Sequence, residues 1–229
     1  MLQLWYQKPA TYWEEALPLG NGRLGAMVWS GVDHETLSLN EDSLWSGYPK
    51  CADIPGAVEY YKQAQQLARE KKYSEAQELL EDMFLSDYTQ SYLPLADLKL
   101  ELEHPQGDVE NYRRSLSLED AISRLTYTIG GTTYTREAFV SAPDQAIVLR
   151  IQADKPGSIT LKARFDCRLR SSCTIEDGRL VLDGVAPSQV DPSYLGETPN
   201  PIVYEEDPQK KGMRFCAIPV SYTHLTLPT

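Results

Sequence analysis

The sequence predicts a mainly β protein, a large antiparallel β-sandwich (supersandwich) with one inserted helical hairpin. Three observations support this prediction. From residue 93 onward, short strand-like segments follow one another and are separated by turn signals, which is typical of a sandwich or barrel rather than of βαβ units. Several of these segments alternate apolar and polar residues, as strands with one buried face do. Residues 56–85 instead carry apolar residues at helical spacing.

Composition narrows the range of partners and locations. The chain has 229 residues, of which 41% are hydrophobic and 24% are charged, an ordinary balance for a globular protein. Its net charge of −11 argues against nucleic acid, which needs a basic face, and against an anionic membrane surface. No apolar run reaches the roughly 20 residues of a membrane helix, and the first residues lack the pattern of an export signal. We therefore expect a cytoplasmic protein.

The four cysteines give no sign of a metal site, because none of them stands in C-x-x-C spacing. Cys167 and Cys173 are close enough in sequence to form a disulfide. Without an export signal, we expect reduced thiols instead.

Aromatic residues are concentrated near the N-terminus, at Trp5, Tyr6, Tyr12 and Trp13. Such side chains can stack on sugar rings, and they can also build a core. Because each aromatic side chain buries a large apolar area, we expect these four to lie in the core of the sandwich.

The glycine-rich turn that follows matches the dinucleotide pattern G-x-G-x-x-G at Gly20, Gly22 and Gly25. That fingerprint needs a buried strand before it and a helix after it. Residues 13–18 do not have the pattern of a buried strand, and residues 26–31 have the pattern of a strand rather than a helix. We therefore reject a dinucleotide site and predict a tight turn that enters a sheet.

The remaining elements follow in order. Residues 23–31 and 35–39 are predicted strands of a hairpin, and residues 56–85 form the helical hairpin, which begins at Pro55-Gly56. Gly130-Gly131 and Asp177-Gly178 are hairpin turns. The later predicted strands are residues 97–103, 112–118, 124–129, 132–140, 146–153, 157–164 and the segment that starts at 212, and residues 174–182 are a predicted hairpin around the Asp-Gly turn.

Two segments near the C-terminus differ from the rest. Residues from about 184 to 212 contain five prolines and predict a long loop, and such loops are usually functional or disordered. Residues 221–229 look like a non-native artefact tail, and they are excluded from the fold together with His224. His34 and His104 are then expected to be solvated turn residues without a catalytic partner.

Several ordered motifs carry a family resemblance. Residues 16–27 read Ala-Leu-Pro-Leu-Gly-Asn-Gly-Arg-Leu-Gly-Ala-Met, and residues 39–47 read Leu-Asn-Glu-Asp-Ser-Leu-Trp-Ser-Gly. With further motifs downstream, the chain resembles the N-terminal part of glycoside hydrolase family 95, which contains α-L-fucosidases and related hydrolases. Ala96, Ser117 and Gln189 stand where that family usually has glycine, aspartate and histidine. The further motifs are residues 92–98, 112–118, 186–194 and 212–215.

The resemblance implies a function as well as a fold. Residues 1–220 would form the N-terminal β-sandwich domain of an α-L-fucosidase-like hydrolase that cleaves terminal α-L-fucosyl linkages by inversion, with no metal or organic cofactor. In that family the acid and base lie mainly in an (α/α)₆ helical barrel, which we expect to be absent from this chain, so no catalytic residue is assigned. The implied partners are a fucosylated glycan and that barrel. An α-L-galactoside specificity stays open, and a non-catalytic carbohydrate-binding or scaffold module is the alternative function.

Six residues are candidates for the rim of a sugar pocket in the intact enzyme. Glu41 and Asp42 are adjacent, and adjacent strand residues point to opposite faces, so they are a poor acid and base pair. We expect them to hydrogen-bond backbone amides in a turn or to belong to the rim. Under the resemblance, the Pro-rich loop either touches substrate or is a surface flap. The rim candidates are Asn40, Glu41, Asp42, Trp45, Asp191 and Tyr194.

Overall fold

The computed structural model describes residues 2–50, 53–85 and 88–222, and within them it contains two α-helices and fifteen β-strands. The helices are α1 (Ala57–Arg69) and α2 (Tyr73–Phe84). The predicted mainly β fold with one inserted helical hairpin is therefore confirmed. The strands are β1 (Gln3–Tyr6), β2 (Leu17–Gly20), β3 (Leu24–Val28), β4 (His34–Glu41), β5 (Ala96–Glu103), β6 (Glu110–Ser117), β7 (Ser123–Ile129), β8 (Thr132–Ser141), β9 (Ala146–Ala153), β10 (Thr160–Asp166), β11 (Arg170–Glu176), β12 (Arg179–Val185), β13 (Gln189–Val190), β14 (Ile202–Val203) and β15 (Arg214–Ala217).

The chain divides into two compact units. The first comprises Met1–Leu44, Tyr92–Ala186 and Arg214–Thr229, and the second comprises Trp45–Ser91 and Pro187–Met213. All strands except β13 and β14 belong to the first unit, and the helical hairpin belongs to the second.

Two five-stranded antiparallel sheets form the sandwich of the first unit. One has the strand order β1-β6-β7-β8-β9 and the other has the order β10-β5-β4-β3-β2. Alternate residues of β7 are buried along its whole length, as the period of two predicts. Apolar side chains from both sheets pack together in the core, namely Leu17, Leu19 and Val28 of one sheet with Leu116 and Ala138 of the other.

The helical hairpin of the second unit follows from its sequence. The chain enters α1 through Gly56, whose φ of +78° is a conformation that glycine adopts without strain. The helices α1 and α2 pair with each other, and each buries a small residue, Ala64 and Ala76. Within the part of the chain that the structure describes, neither helix combines the length and the apolar character needed to cross a bilayer.

The two strongest predicted hairpin turns are confirmed. Gly130 and Gly131 join β7 to β8, and both have positive φ. Asp177 and Gly178 join β11 to β12, also with positive φ at both positions. Two consecutive turn residues with positive φ give a turn whose twist matches the right-handed twist of the flanking strands.

The interpretation of the glycine-rich turn needs one correction. Residues 13–18 were predicted not to include a buried strand, but β2 begins at Leu17, whose side chain is 1% exposed. Pro18 is tolerated because β2 is an edge strand of its sheet. The turn leads into β3 rather than into a helix, so the rejection of a dinucleotide site stands. The side chain of Asn21 holds the turn by accepting the N–H groups of Arg23 and Leu24.

The prediction that the N-terminal aromatic residues lie in the core is wrong. Their exposed fractions range from 37% to 56% at Trp5, Tyr6, Tyr12 and Trp13. Trp5 and Tyr6 lie on β1, an edge strand with every residue exposed, and Tyr12 and Trp13 lie outside the strands. The guanidinium groups of Arg113 and Arg114 lie over the rings of Trp5 and Tyr6, 4.7 and 4.3 Å from the ring centroids.

One histidine was also misjudged. His34 is exposed at the start of β4, as predicted, but the side chain of His104 is only 3% exposed. Its Nε2 lies 2.8 Å from the Tyr127 hydroxyl and its Nδ1 lies 2.9 Å from an Asp33 carboxylate oxygen. The His104 side chain is therefore buried and hydrogen-bonded rather than solvated.

Three of the four cysteines lie among the described residues. Cys167, Cys173 and Cys216 are free thiols, and Cys51 lies outside the described residues. From residue 223 onward, the tail that we predicted to be non-native, including His224, also lies outside them.

Candidate functional site

The six candidate rim residues are divided between the two units. Asn40, Glu41 and Asp42 belong to the first unit, and Trp45, Asp191 and Tyr194 belong to the second.

In the first unit, Glu41 is the last residue of β4 and stabilises the turn that follows it. Its Oε2 accepts the N–H of Ser43 at 2.8 Å and the hydroxyl of Ser43 at 2.6 Å, and its Oε1 lies 3.1 Å from Nη1 of Arg23. The hydrogen bond from the Ser43 hydroxyl is the main reason why the pKa of Glu41 is lowered. A carboxyl group that stays ionised is a poor proton donor. Glu41 is therefore suited to accepting the backbone N–H of the turn rather than to acid catalysis.

Asn40 and Asp42 flank this carboxylate. Asn40 is half-buried in β4, opposite Gly25 of β3. Asp42 is exposed, and its N–H donates to the carbonyl of Arg23 at 2.9 Å. Asn40 and Asp42 therefore extend the pairing of β4 with β3 to the end of this hairpin.

In the second unit, the Pro-rich segment is an ordered β-ribbon for part of its length. Strands β13 and β14 pair antiparallel, with Gln189 opposite Val203. The N–H and the hydroxyl of Ser188 both donate to the carbonyl of Val203, at 2.8 and 2.9 Å, and the N–H of Asp191 donates to Pro201 at 2.8 Å. The segment is thus fixed at several points on both strands.

A cluster of polar side chains is centred on the Asp191 carboxylate. The hydroxyl of Tyr88 donates to Oδ1 at 2.6 Å, and the hydroxyl of Thr198 donates to Oδ2 at 2.7 Å. The amide of Gln189 donates to Oδ1 at 3.1 Å and also contacts the Tyr88 hydroxyl. We call Tyr88, Gln189, Asp191 and Thr198 the Asp191 cluster.

The Asp191 cluster continues into the segment after Trp45. The side-chain amide of Gln90 donates to Oε1 of Gln189 at 3.3 Å, and the hydroxyl of Ser46 donates to Oε1 of Gln90 at 2.7 Å. The N–H of Ser91 donates back to the Ser46 hydroxyl at 2.9 Å. Gly47 allows this approach, because a Cβ there would lie 2.7 Å from the Gln90 side chain.

The hydrogen bonds decide the charge of the Asp191 cluster. The pKa of Asp191 is lowered, first by the hydrogen bond from Tyr88 and then by those from Thr198 and Gln189. Gln189, which stands where the resembling family has histidine, adds no charge. The Asp191 cluster is therefore a single carboxylate anion surrounded by neutral hydrogen-bond donors. These hydrogen bonds hold the Pro-rich segment in place.

The two aromatic rim candidates of the second unit are accessible. The Trp45 side chain is 42% exposed, and that of Tyr194, in a one-turn 3-10 helix (Ser193–Leu195), is 74% exposed. Exposed aromatic faces can stack against the apolar face of a sugar ring. Among the six rim candidates, these two are therefore the aromatic side chains that a glycan could reach directly.

Sequence reasoning missed Ser46, Tyr88, Gln90 and Thr198. A partial signal was available, because residues two apart in extended backbone share a face, and Gln189 and Asp191 are two apart. Nothing local connects Tyr88 to Asp191, which lie 103 residues apart in the chain. Among the described residues, no group of three or more His, Cys, Asp or Glu is arranged to hold a metal ion.

The Asp191 cluster gives a prediction that depends on pH. The pKa of Asp191 is lowered on folding. The stabilisation of the segment by the ionised carboxylate is therefore complete above the ordinary aspartate pKa of about 3.9. It is lost as the pH falls through the lower pKa of the folded state. Asp191→Asn removes an acceptor of the Thr198 hydroxyl at any pH. We expect faster amide hydrogen exchange at Ser188 and at position 191 in this variant at neutral pH.

The matched control is Glu197→Gln, which neutralises an exposed carboxylate in the same segment that takes no part in the cluster. Equal exchange rates in the two variants at neutral pH would contradict the role given to Asp191.

Comparisons with known proteins agree with the sequence motifs. Residues 4–221 match the family model described as glycosyl hydrolase family 65, N-terminal domain. The chain is 35% identical over 224 residues to alpha-L-fucosidase 2 of Arabidopsis thaliana, an alignment that covers 95% of this chain and 26% of that protein. It is 33% identical over 168 residues to probable alpha-fucosidase A of Aspergillus niger, covering 66% and 20%. The chain thus spans about a quarter of the first relative's length.

Proposed function

Because the chain belongs to the family of glycosyl hydrolase family 65 N-terminal domains, and is similar to the N-terminal part of α-L-fucosidases, we propose that it supports catalysis in a larger α-L-fucosidase-like enzyme. The parent would cleave terminal α-L-fucosyl linkages on glycans with inversion. Its general acid and its activating base would lie in a helical barrel outside this chain. The two units described here would be structural support for that barrel.

One observation carries this proposal, the alignment of 95% of the chain with 26% of an α-L-fucosidase. The geometry of the candidate carboxylates supports it. An inverting glycosidase needs a carboxylic acid with a raised pKa and a second carboxylate that activates water. Glu41 and Asp191 both have lowered pKa values because hydroxyl groups hydrogen-bond to them, so both are suited to positioning roles.

We expect the purified 229-residue chain to show no hydrolysis of an aryl α-L-fucoside, while the full-length parent turns the same substrate over. The reason is that the acid and base are supplied by the rest of the parent. The measurement is release of the aryl group at equal molar concentrations. Turnover by the chain itself would overturn the proposed support role, and turnover of an aryl α-L-galactoside alone by the parent would overturn the fucoside specificity.

The exposure of Trp45 and Tyr194 favours one second candidate, a carbohydrate-binding module. In that case the isolated chain should bind fucose or a fucosylated oligosaccharide with millimolar or stronger affinity in a calorimetric titration, and Trp45→Ala or Tyr194→Ala should abolish the heat. A support domain gives no binding heat with any of the three proteins. Tyr73→Ala, at another exposed aromatic residue of the second unit, is the control substitution.

A further inference from the structure

A buried arginine between the two five-stranded sheets has one N–H group without a partner. The Arg136 side chain is 2% exposed. Its Nη1 donates to the carbonyl of Gly31 at 2.5 Å and to Glu35 Oε2 at 3.1 Å. Its Nη2 donates to the carbonyl of Val32 at 2.6 Å and to the Tyr127 hydroxyl at 2.7 Å. Its Nε has no hydrogen-bond partner among the described residues.

A second unpaired group belongs to the same region. Ser30 is buried, its N–H donates to Glu35 Oε1 at 2.8 Å and its carbonyl accepts the Tyr112 hydroxyl at 2.7 Å. Its own hydroxyl has no partner among the described residues. A serine hydroxyl can both donate and accept, so it is suited to a ligand that does both.

Ser30 and Arg136 line one small internal cavity of about 10 Å³, together with Glu35, Ser123 and apolar side chains that include Val28. A cavity needs roughly 10–15 Å³ to hold one water molecule, and a buried water normally has two to four polar partners. The volume and the polar groups therefore match a single water. A cation would be repelled by the guanidinium group, an anion by the Glu35 carboxylate, and an organic ligand would be too large.

We propose that one internal water molecule binds in this cavity and bridges Arg136 to Ser30. The water oxygen accepts the N–H of Arg136 Nε, and a water hydrogen is donated to the Ser30 hydroxyl or to the Glu35 carboxylate. With this ligand, all five N–H groups of the guanidinium are paired, as buried donors normally are. The site is a structural part of the sandwich and is independent of the proposed enzymatic role.

The test combines a high-resolution crystal structure of the chain with ¹⁷O magnetic relaxation dispersion, which counts long-lived internal waters. Val28→Ile adds one methylene group at the cavity wall, which takes up much of the ~30 Å³ share of a water molecule. Val181→Ile makes the same change at a buried position of β12 that does not line the cavity.

We expect a water peak within hydrogen-bond distance of Arg136 Nε and Ser30 Oγ in the wild type and in Val181→Ile. In Val28→Ile the peak should be lost and the dispersion amplitude should fall by one water molecule. A wild-type cavity without a peak, or a Val28→Ile variant with the peak retained, would overturn the proposal. If Val28→Ile does not fold, the wild-type crystal structure decides alone.

Discussion

Replacing Arg136 by methionine is expected to lower the free energy of unfolding by about 3–5 kcal/mol, because it leaves the Glu35 carboxylate buried without its cationic partner. Glu35 and Arg136 are 1% and 2% exposed, and their charged atoms lie 3.1 Å apart. The substitution also removes the donors to the carbonyls of Gly31 and Val32, which lie in the turn between β3 and β4. Urea denaturation followed by circular dichroism measures the loss.

The matched control is Arg150→Met on β9. Arg150 is 60% exposed and its Nη1 lies 3.5 Å from a Glu137 carboxylate oxygen. Exposed pairs of this kind contribute about 0–1 kcal/mol, so the control should change stability little. If the two variants lose similar stability, the buried pair does not have the importance given to it here.

A double replacement separates two effects of Arg136→Met, the loss of the ion pair with Glu35 and the burial of an unpaired Glu35 carboxylate. Burial raises the pKa of Glu35, while Arg136 and two backbone N–H groups oppose that rise. Adding Glu35→Gln to Arg136→Met removes the unpaired charge and keeps an acceptor for the N–H groups of Ser30 and Thr36. The double variant should therefore be more stable than Arg136→Met alone, because a buried neutral amide costs less than a buried unpaired carboxylate.

The sequence predicted those parts of the fold that depend on local patterns. Strand β7 alternates along its length, the glycine pair after it fixes a hairpin, and α1 and α2 carry apolar residues at helical spacing. Each of these signals is contained within about a dozen neighbouring residues. They are therefore available without knowledge of what the element packs against.

The parts that were missed depend on distant partners. Glu35 and Arg136 are 101 residues apart, and no local pattern joins them. His104 was taken for a turn residue because its neighbours in sequence indicate a strand end, yet Tyr127 of β7 and Asp33 of the β3–β4 turn pair with it. The Asp191 cluster has the same character, since Tyr88 reaches it across 103 residues.

Strand β2 was missed for a different reason, since Pro18 interrupts its pattern, and the importance of this strand can be measured. Leu17→Ala is expected to lower the free energy of unfolding by about 2–5 kcal/mol, the usual range for a buried leucine. Leu17 is 1% exposed and packs with Val28 of its own sheet and with Leu116 and Ala138 of the facing one. An edge strand would then contribute as much to the core as a central one.

Leu161→Ala on β10, the opposite edge of the same sheet, is the control. Leu161 is 42% exposed, and substitutions at surface positions usually change stability by no more than about 0.5 kcal/mol. The comparison holds residue type, strand position and sheet constant, so the difference between the two variants reports burial. A Leu17→Ala variant as stable as Leu161→Ala would show that β2 is not held against the core in solution, and that proline had correctly signalled a segment outside it.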